Sequence, residues 1–171
     1  MNNLSYFNVS LRPFVLGDAQ THLENEDIEQ IKWVSGGKST LESVQNWIKK
    51  NQKYWKENAP VFTLAIEDSQ THKLLGFIEA NTDYENLEQI KEGEVNISYG
   101  LYPNARGKGV ATEAVKLMLE YLKDKGYSQA VIAINPENSN SLKVPAKLGF
   151  IEISKITTKE NKQLVIFSKS I

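Results

Sequence analysis

The sequence predicts an α/β (α+β) fold, a mixed, mostly antiparallel sheet of about seven strands flanked by about four helices. Three observations carry this. Seven short runs rich in β-branched and aromatic residues, at 8–14, 60–68, 73–82, 92–102, 129–134, 150–156 and 164–168, are bounded by turn-forming residues. Two pairs of them, 60–68 with 73–82 and 150–156 with 164–168, are joined by short polar turns and read as hairpins. Between the runs at 92–102 and 129–134 lies a strongly periodic helix, as a crossover helix should. At 171 residues the chain is expected to be one domain, 1–171, able to bury a core without staples.

In chain order, Pro13 near its end makes the first strand an edge or short strand, because proline cannot donate to a ladder. From Gly17 to about Lys32 the helical pattern is broken and carries Glu24, Glu26, Asp27 and Glu29. These form either a solvated face or a negative wall that attracts a cationic amine. The Gly37-Lys38-Ser39 triplet is not a nucleotide loop, since Lys32 stands where that motif needs a further glycine. Ser39 as N-cap with Glu42 as its partner predicts a capping box opening a helix to about Asn58. Trp47 and Trp55 on its apolar stripe are read as core. The stretch 83–94 is polar and acidic, and is expected on the surface.

The helix at 109–125 places Val110, Ala114, Leu117, Met118, Tyr121 and Leu122 at spacings of three and four, and Gly126 ends it. The run at 129–134 is apolar and β-branched, as a buried strand requires. Residues 135–141 are dense in N-cap types and lead into a short helix that stops at Gly149.

Composition excludes several classes of function. There is no cysteine, hence no disulfide or thiolate site, and the only imidazoles, His22 and His72, stand in no ligand-spaced cluster, so no metal is expected. A net charge of −1 argues against a general nucleic-acid binder. The N-terminal stretch lacks a basic-then-apolar targeting pattern and no run approaches spanning length, so a cytoplasmic location without membrane contact is expected.

The chemical centre is the run from Tyr99 to Ala111. Pro103 and Asn104 stop a strand, and Gly107 and Gly109 let the backbone approach a ligand closely. The next helix then begins with unpaired N–H groups directed at that turn, which together with its dipole make an anion site. Arg106 and Lys108 add positive charge. The expected ligand carries phosphate.

The segment from Leu101 to Ala114, LYPNARGKGVATEA, resembles the acyl-CoA pyrophosphate loop of the GCN5-related N-acetyltransferases (GNAT), whose pattern is Arg or Gln, x, x, Gly, x, Gly or Ala. A second block, NPENSNSLKVPAKLGF at 135–150, is similar to the family's later segment, with Asn138, Ser141 and Lys147 to Phe150 at the matching positions. Leu-Arg-Pro at 11–13 and GFIE at 76–79 add patches earlier in the chain, and the nearest branch resembles the ribosomal-protein N-terminal acetyltransferases.

The resemblance implies two parallel strands, here about 93–102 and 129–134, that splay apart around the pantetheine arm of acetyl-CoA. Donor-binding residues carried over are Leu101, Arg106, Gly107, Lys108, Gly109, Val110, Ala111, Asn138 and Ser141. It also implies direct attack of an amine on the acetyl thioester, with a small amine or a protein N-terminus as acceptor. The oligomeric state stays open between monomer and homodimer.

Two departures leave the catalytic groups open. Many members place a tyrosine seven residues after the asparagine, where this chain has Pro145, so Ser141 is the first candidate acid and Tyr99 the second. Relatives often carry Glu where this chain has Asn96, so Glu94, on the same strand face, is a candidate base and Glu79 its rival. These departures keep alive a non-catalytic acyl-CoA-binding sensor or interaction module, while a phosphate turn serving some other nucleotide is a further alternative.

Overall fold

The computed structural model describes residues 7–171. Residues 1–6, part of the stretch read above for targeting signals, lie outside the described residues. Seven strands form one sheet: β1 (Val9–Pro13), β2 (Val61–Asp68), β3 (Leu74–Asn81), β4 (Glu94–Leu101), β5 (Gln129–Ile134), β6 (Ile151–Thr157) and β7 (Gln163–Ser170). Their spatial order is β1-β2-β3-β4-β5-β7-β6, and every pairing is antiparallel except β4 with β5. This is the predicted mixed sheet, with the Pro13 strand at its edge.

Five α-helical segments surround it: α1 (Ala19–Glu24), α2 (Ile28–Gln30) running on as a π-helical turn (Ile31–Ser35), α3 (Leu41–Glu57), α4 (Val110–Asp124) and α5 (Lys143–Lys147). Helix α4 buries Val110, Ala114, Val115, Met118 and Leu122 against Ile66, Ile78, Val95, Ile97 and Ile132 of the sheet. On the other face Ala19 of α1 and Val44 and Ile48 of α3 close over Phe14, Ala65 and Phe77. No helix among the described residues is long and apolar enough to cross a membrane.

Three local expectations change. The N-cap of α3 is Thr40, which forms a reciprocal box with Ser43, because both the backbone N–H and the hydroxyl of Ser39 are taken by the Glu26 carboxylate. The acidic stretch 83–94 does bury a residue: Ile90 packs on Val131 and Ile166, with Leu87 beside them. Pro145 falls in the first turn of the short α5, where its missing N–H would have had no intrahelical partner, so it need not break the helix. Trp55 is half-buried against the core, stacked on Tyr121 and packed edge-on to Phe62.

One feature of the sheet makes the site. Strands β4 and β5 pair only at Glu94–Asn96 with Gln129–Val131, after which the remainder of each runs on without its neighbour. The gap opens toward the C-terminal ends of both strands, in front of α4. Gly100 in β4 has no Cβ for a reason: one built there would meet the Phe77 ring at 2.4 Å, so that ring closely approaches the strand backbone.

Candidate active site

The turn between β4 and α4 is built as its sequence requires. Gly107 and Gly109 have φ of +73° and +80°, the left-handed region that favours glycine, and space beside both is open. Gly109 is the N-cap of α4, and no side chain caps that helix. The N–H groups of its first turn therefore have no intrahelical partner and face the turn. An anion fits here.

A cavity of about 640 Å³ starts at this turn and is lined by Leu101, Gly107, Gly109, Val110 and Ala111. Lys143 and Lys147, one turn apart on α5, add positive charge along it. A second cavity, of about 950 Å³, lies on the α1 and α3 side and is lined by Glu79, Thr63, Phe77, Trp47, His22 and Glu26, among others. The two share Gln30, Trp33, Val34, Tyr99, Asn138 and Ser141. They thus meet at the splay, where a reagent held in one is within reach of a reagent held in the other.

The shared residues are held by local bonds. The Tyr99 hydroxyl donates to the Ser141 carbonyl at 3.2 Å, and the Ser141 N–H donates to Asn138 Oδ1 at 3.2 Å. The Ser141 hydroxyl makes no hydrogen bond among the described residues. Burial pushes the Tyr99 phenol well above its ordinary pKa, so it stays protonated. Gln30 is 4% exposed and its Oε1 has no hydrogen-bond partner, so an amide dipole is kept at the junction of the two cavities without being satisfied there.

Glu79 accepts a hydrogen bond from Thr63 Oγ1 at 3.1 Å, and burial raises its pKa above the ordinary carboxylate range. It sits opposite Ser98 of β4, on the cavity side of the gap. Glu94 is placed differently. It lies at the closed end of the splay, paired with Gln129, accepts from the Lys91 N–H at 2.9 Å, and lines neither cavity. Asn96 stands at the last paired position, with Oδ1 buried and unpartnered.

The side-chain charges expected to face a phosphate already hold protein partners, although Arg106 also lines the smaller cavity. Arg106 forms a bidentate pair with Asp27, at 2.6 and 2.8 Å, and its Nε donates to the Leu101 carbonyl at 3.0 Å. Lys108 Nζ donates to the Asn104 carbonyl and lies over the Phe7 ring, and Lys108 lines neither cavity. Asp27 in turn caps α2, accepting from the Gln30 N–H at 3.0 Å. Arg106 thus ties the glycine turn to the segment that carries Gln30 and Trp33. The Arg106 pairing holds the Asp27 carboxyl below its usual pKa.

Sequence reasoning missed Gln30, Trp33, Lys143 and the latch at Asp27. One signal was available for the last, since Asp three residues before Gln30 at the start of a helical run is an N-cap pattern. Among the described residues no group of three His, Asp or Glu side chains is placed to hold a metal ion.

A family model described as acetyltransferase (GNAT) domain matches residues 8–151. Over 113 residues the chain is 32% identical to an N-acetyltransferase 9-like protein of Caenorhabditis briggsae, a match spanning 60% of this chain and 56% of that protein's length. It is 28% identical over 141 residues to the uncharacterized N-acetyltransferase YnaD of Bacillus subtilis, spanning 81% of this chain and 76% of that one. The fold is similar to that of the microcin C7 self-immunity acetyltransferase MccE, solved with acetyl-CoA and AMP, with a TM-score of 0.81, 19% identity, and 98% and 94% of the two chains covered. A ribosomal-protein-S5-alanine acetyltransferase from Vibrio fischeri has a TM-score of 0.76 at 19% identity, with 95% and 92% covered.

Proposed function

Because the chain belongs to the acetyltransferase (GNAT) family, we propose that it moves an acetyl group from acetyl-CoA to a primary amine, the amine attacking the thioester where the two cavities meet. The observation that carries this is the shared lining at the splay: one cavity begins at an N–H-rich turn suited to a pyrophosphate, the other holds a half-buried carboxylate, Glu79. That MccE was solved with acetyl-CoA supports the choice of donor.

In this reading the backbone N–H groups of Gly107 to Ala111 hold the pyrophosphate, Lys143 and Lys147 add long-range attraction, and Asn138 and Gln30 contact the pantetheine end. The acetyl thioester supplies the electrophilic carbonyl. Glu79 takes a proton from the acceptor ammonium, its raised pKa matching it better to an amine than an ordinary carboxylate would be. The new C–N bond forms as the C–S bond breaks, and the electron pair leaves on sulfur. A thiol has a pKa of about 8.5, well below that of a buried tyrosine or a serine hydroxyl. The Ser141 hydroxyl therefore steadies the departing sulfur by hydrogen-bond donation and keeps its proton. Tyr99, whose O–H donates to the Ser141 carbonyl, holds that residue in place. The second proton of the attacking nitrogen passes to the thiolate.

Arg106 acts here as a positioning residue rather than a phosphate ligand. Removing either end of its pair with Asp27 should loosen the same segment. Arg106→Ala, Asp27→Ala and the double variant are expected to raise the acetyl-CoA KM by factors within about threefold of one another, as coupled sites do. A large effect of Arg106→Ala alone would return its charge to the phosphate.

The test of the proposed activity is release of free thiol from acetyl-CoA, followed against a panel of amines, with mass spectrometry of the amine product. Amine-dependent thiol and an equal amount of acetylated amine are expected. Donor binding with no thiol release from any amine would favour a non-catalytic acyl-CoA-binding module.

A further inference from the structure

The larger cavity holds more negative charge than its own cations offset. Lys32 lies 3.9 Å from Glu137 and Lys162 lies 2.6 Å from Glu160, so both lysines of the lining are already paired at the exposed surface. Glu26 and Glu79 have no cationic partner among the described residues. Glu26 accepts from the Ser39 N–H at 2.8 Å and the Ser39 hydroxyl at 2.5 Å, and Glu79 accepts from Thr63 Oγ1. Each carboxylate keeps lone pairs that no protein donor takes. Two further hydroxyls of the lining are spent as donors, Ser35 on the Gly37 carbonyl and Ser43 on the Thr40 carbonyl. Gln30 Oε1, buried in the same lining, has no donor at all. These groups offer a ligand oxygen acceptors and call for N–H donors in return.

Between the two carboxylates the wall is uncharged. Phe77 stands two residues before Glu79 on β3 and so shares its face. Trp47 meets Phe77 edge-on, with ring centroids 6.3 Å apart, and stacks on His22 at 5.1 Å and 30°. Burial lowers the His22 pKa although Glu26 and Asp18 pull it up, so His22 is uncharged at neutral pH beside the Glu26 carboxylate. The wall thus runs from Glu79 over Phe77, Trp47 and His22 to Glu26, and all five line the cavity. A carboxylate stands at each end, with flat carbon surface between.

From the two uncompensated carboxylates and the apolar wall joining them we infer that the acceptor is a small aliphatic diamine, its reacting nitrogen at Glu79 and its second ammonium at Glu26. This rests on the transferase reading above. The Ser39 contacts fix the Glu26 carboxylate, so an ammonium meets an oriented acceptor and forms charge-assisted hydrogen bonds. The methylene chain covers Trp47 and Phe77. A monoamine would leave Glu26 without a cation. The product carries one ammonium only, because its amide nitrogen is uncharged, so it should be as poor an acceptor as a monoamine and acetylation should stop at one group.

The experiment compares kcat/KM for two matched pairs, putrescine with butylamine and cadaverine with pentylamine, by thiol release at saturating acetyl-CoA. In at least one pair, set by the span between the carboxylates, the diamine is expected to lead by about 10-fold or more, chiefly through a lower KM. Glu26→Gln keeps an acceptor for the Ser39 N–H and removes the charge. It should raise KM for the preferred diamine by about 10-fold and for its monoamine much less, with kcat little changed. Equal kcat/KM within both pairs, or equal KM losses for diamine and monoamine in the variant, would overturn the inference and leave the transferase reading intact. Thiol release from none of the four, with acetyl-CoA bound, would overturn it as well and leave the transferase reading to the wider amine panel.

Discussion

Glu79→Gln is expected to lower kcat by about 10²- to 10⁴-fold, the usual contribution of a general base, while leaving acetyl-CoA affinity unchanged. Glutamine keeps the shape and can still accept from Thr63, whose hydroxyl lies 3.1 Å from Glu79 Oε2, so the loss reads the proton transfer and not the packing. The pH dependence separates the two further. Burial raises the Glu79 pKa, so the wild-type rate should climb with pH over a limb lying above the ordinary glutamate value of about 4.3. The variant should lack that limb.

The stability sign runs the other way and serves as a folding control. A carboxylate whose folded pKa is raised costs no stability below its unfolded value, and weakens the fold progressively as pH rises through the raised one. Glutamine cannot ionise, so at neutral pH the variant should unfold at a temperature no lower than wild type. A stable variant with unchanged kcat and pH profile would exclude Glu79 and send the search to His22 on the same cavity wall.

Gly109→Asp is expected to weaken acetyl-CoA binding by about 100-fold, the loss of one or two charge-assisted hydrogen bonds worth about 1.5–3 kcal/mol each. It places a carboxylate at the N-cap of α4, where an Asp side chain can bond the same N–H groups that would meet the pyrophosphate and repels its charge. Gly109→Ala is the control for backbone strain. With φ at +80° it carries the conformational penalty of an L-residue, about 1–2 kcal/mol, without the charge. Equal losses in the two variants would mean that turn shape, and not an anion site, explains the effect.

The parts of this protein legible from sequence are those encoded locally. Gly107 and Gly109 announce positive φ by their identity, and the spacing of Val110, Ala114, Met118 and Leu122 announces a buried helix face. The edge of the site that carries the proposed base was less legible because it depends on pairing. Strand parity correctly puts Glu94 and Asn96 on one face, yet only the register of β4 with β5 shows that Glu94 lies at the closed end of the splay and Glu79 beside the open cavity.

The acidic segment was legible only in part, since Glu24 and Glu29 are exposed as a solvated face requires while its other two carboxylates find partners elsewhere in the chain. Nothing within residues 24–29 reveals that Asp27 will meet Arg106, 79 positions away, or that Glu26 will take Ser39. The latter contact also moved the helix cap from Ser39 to Thr40. Charge counted along a chain is a surface property only until long-range partners claim it.

The central claim, that the glycine turn and the splay form a donor site for acetyl-CoA, is tested most directly by calorimetric titration of acetyl-CoA into the wild-type protein. Saturable binding at one molecule per chain, weakened by an added excess of desacetyl CoA, is the predicted result. A folded wild-type protein that takes up no acetyl-CoA would contradict the account.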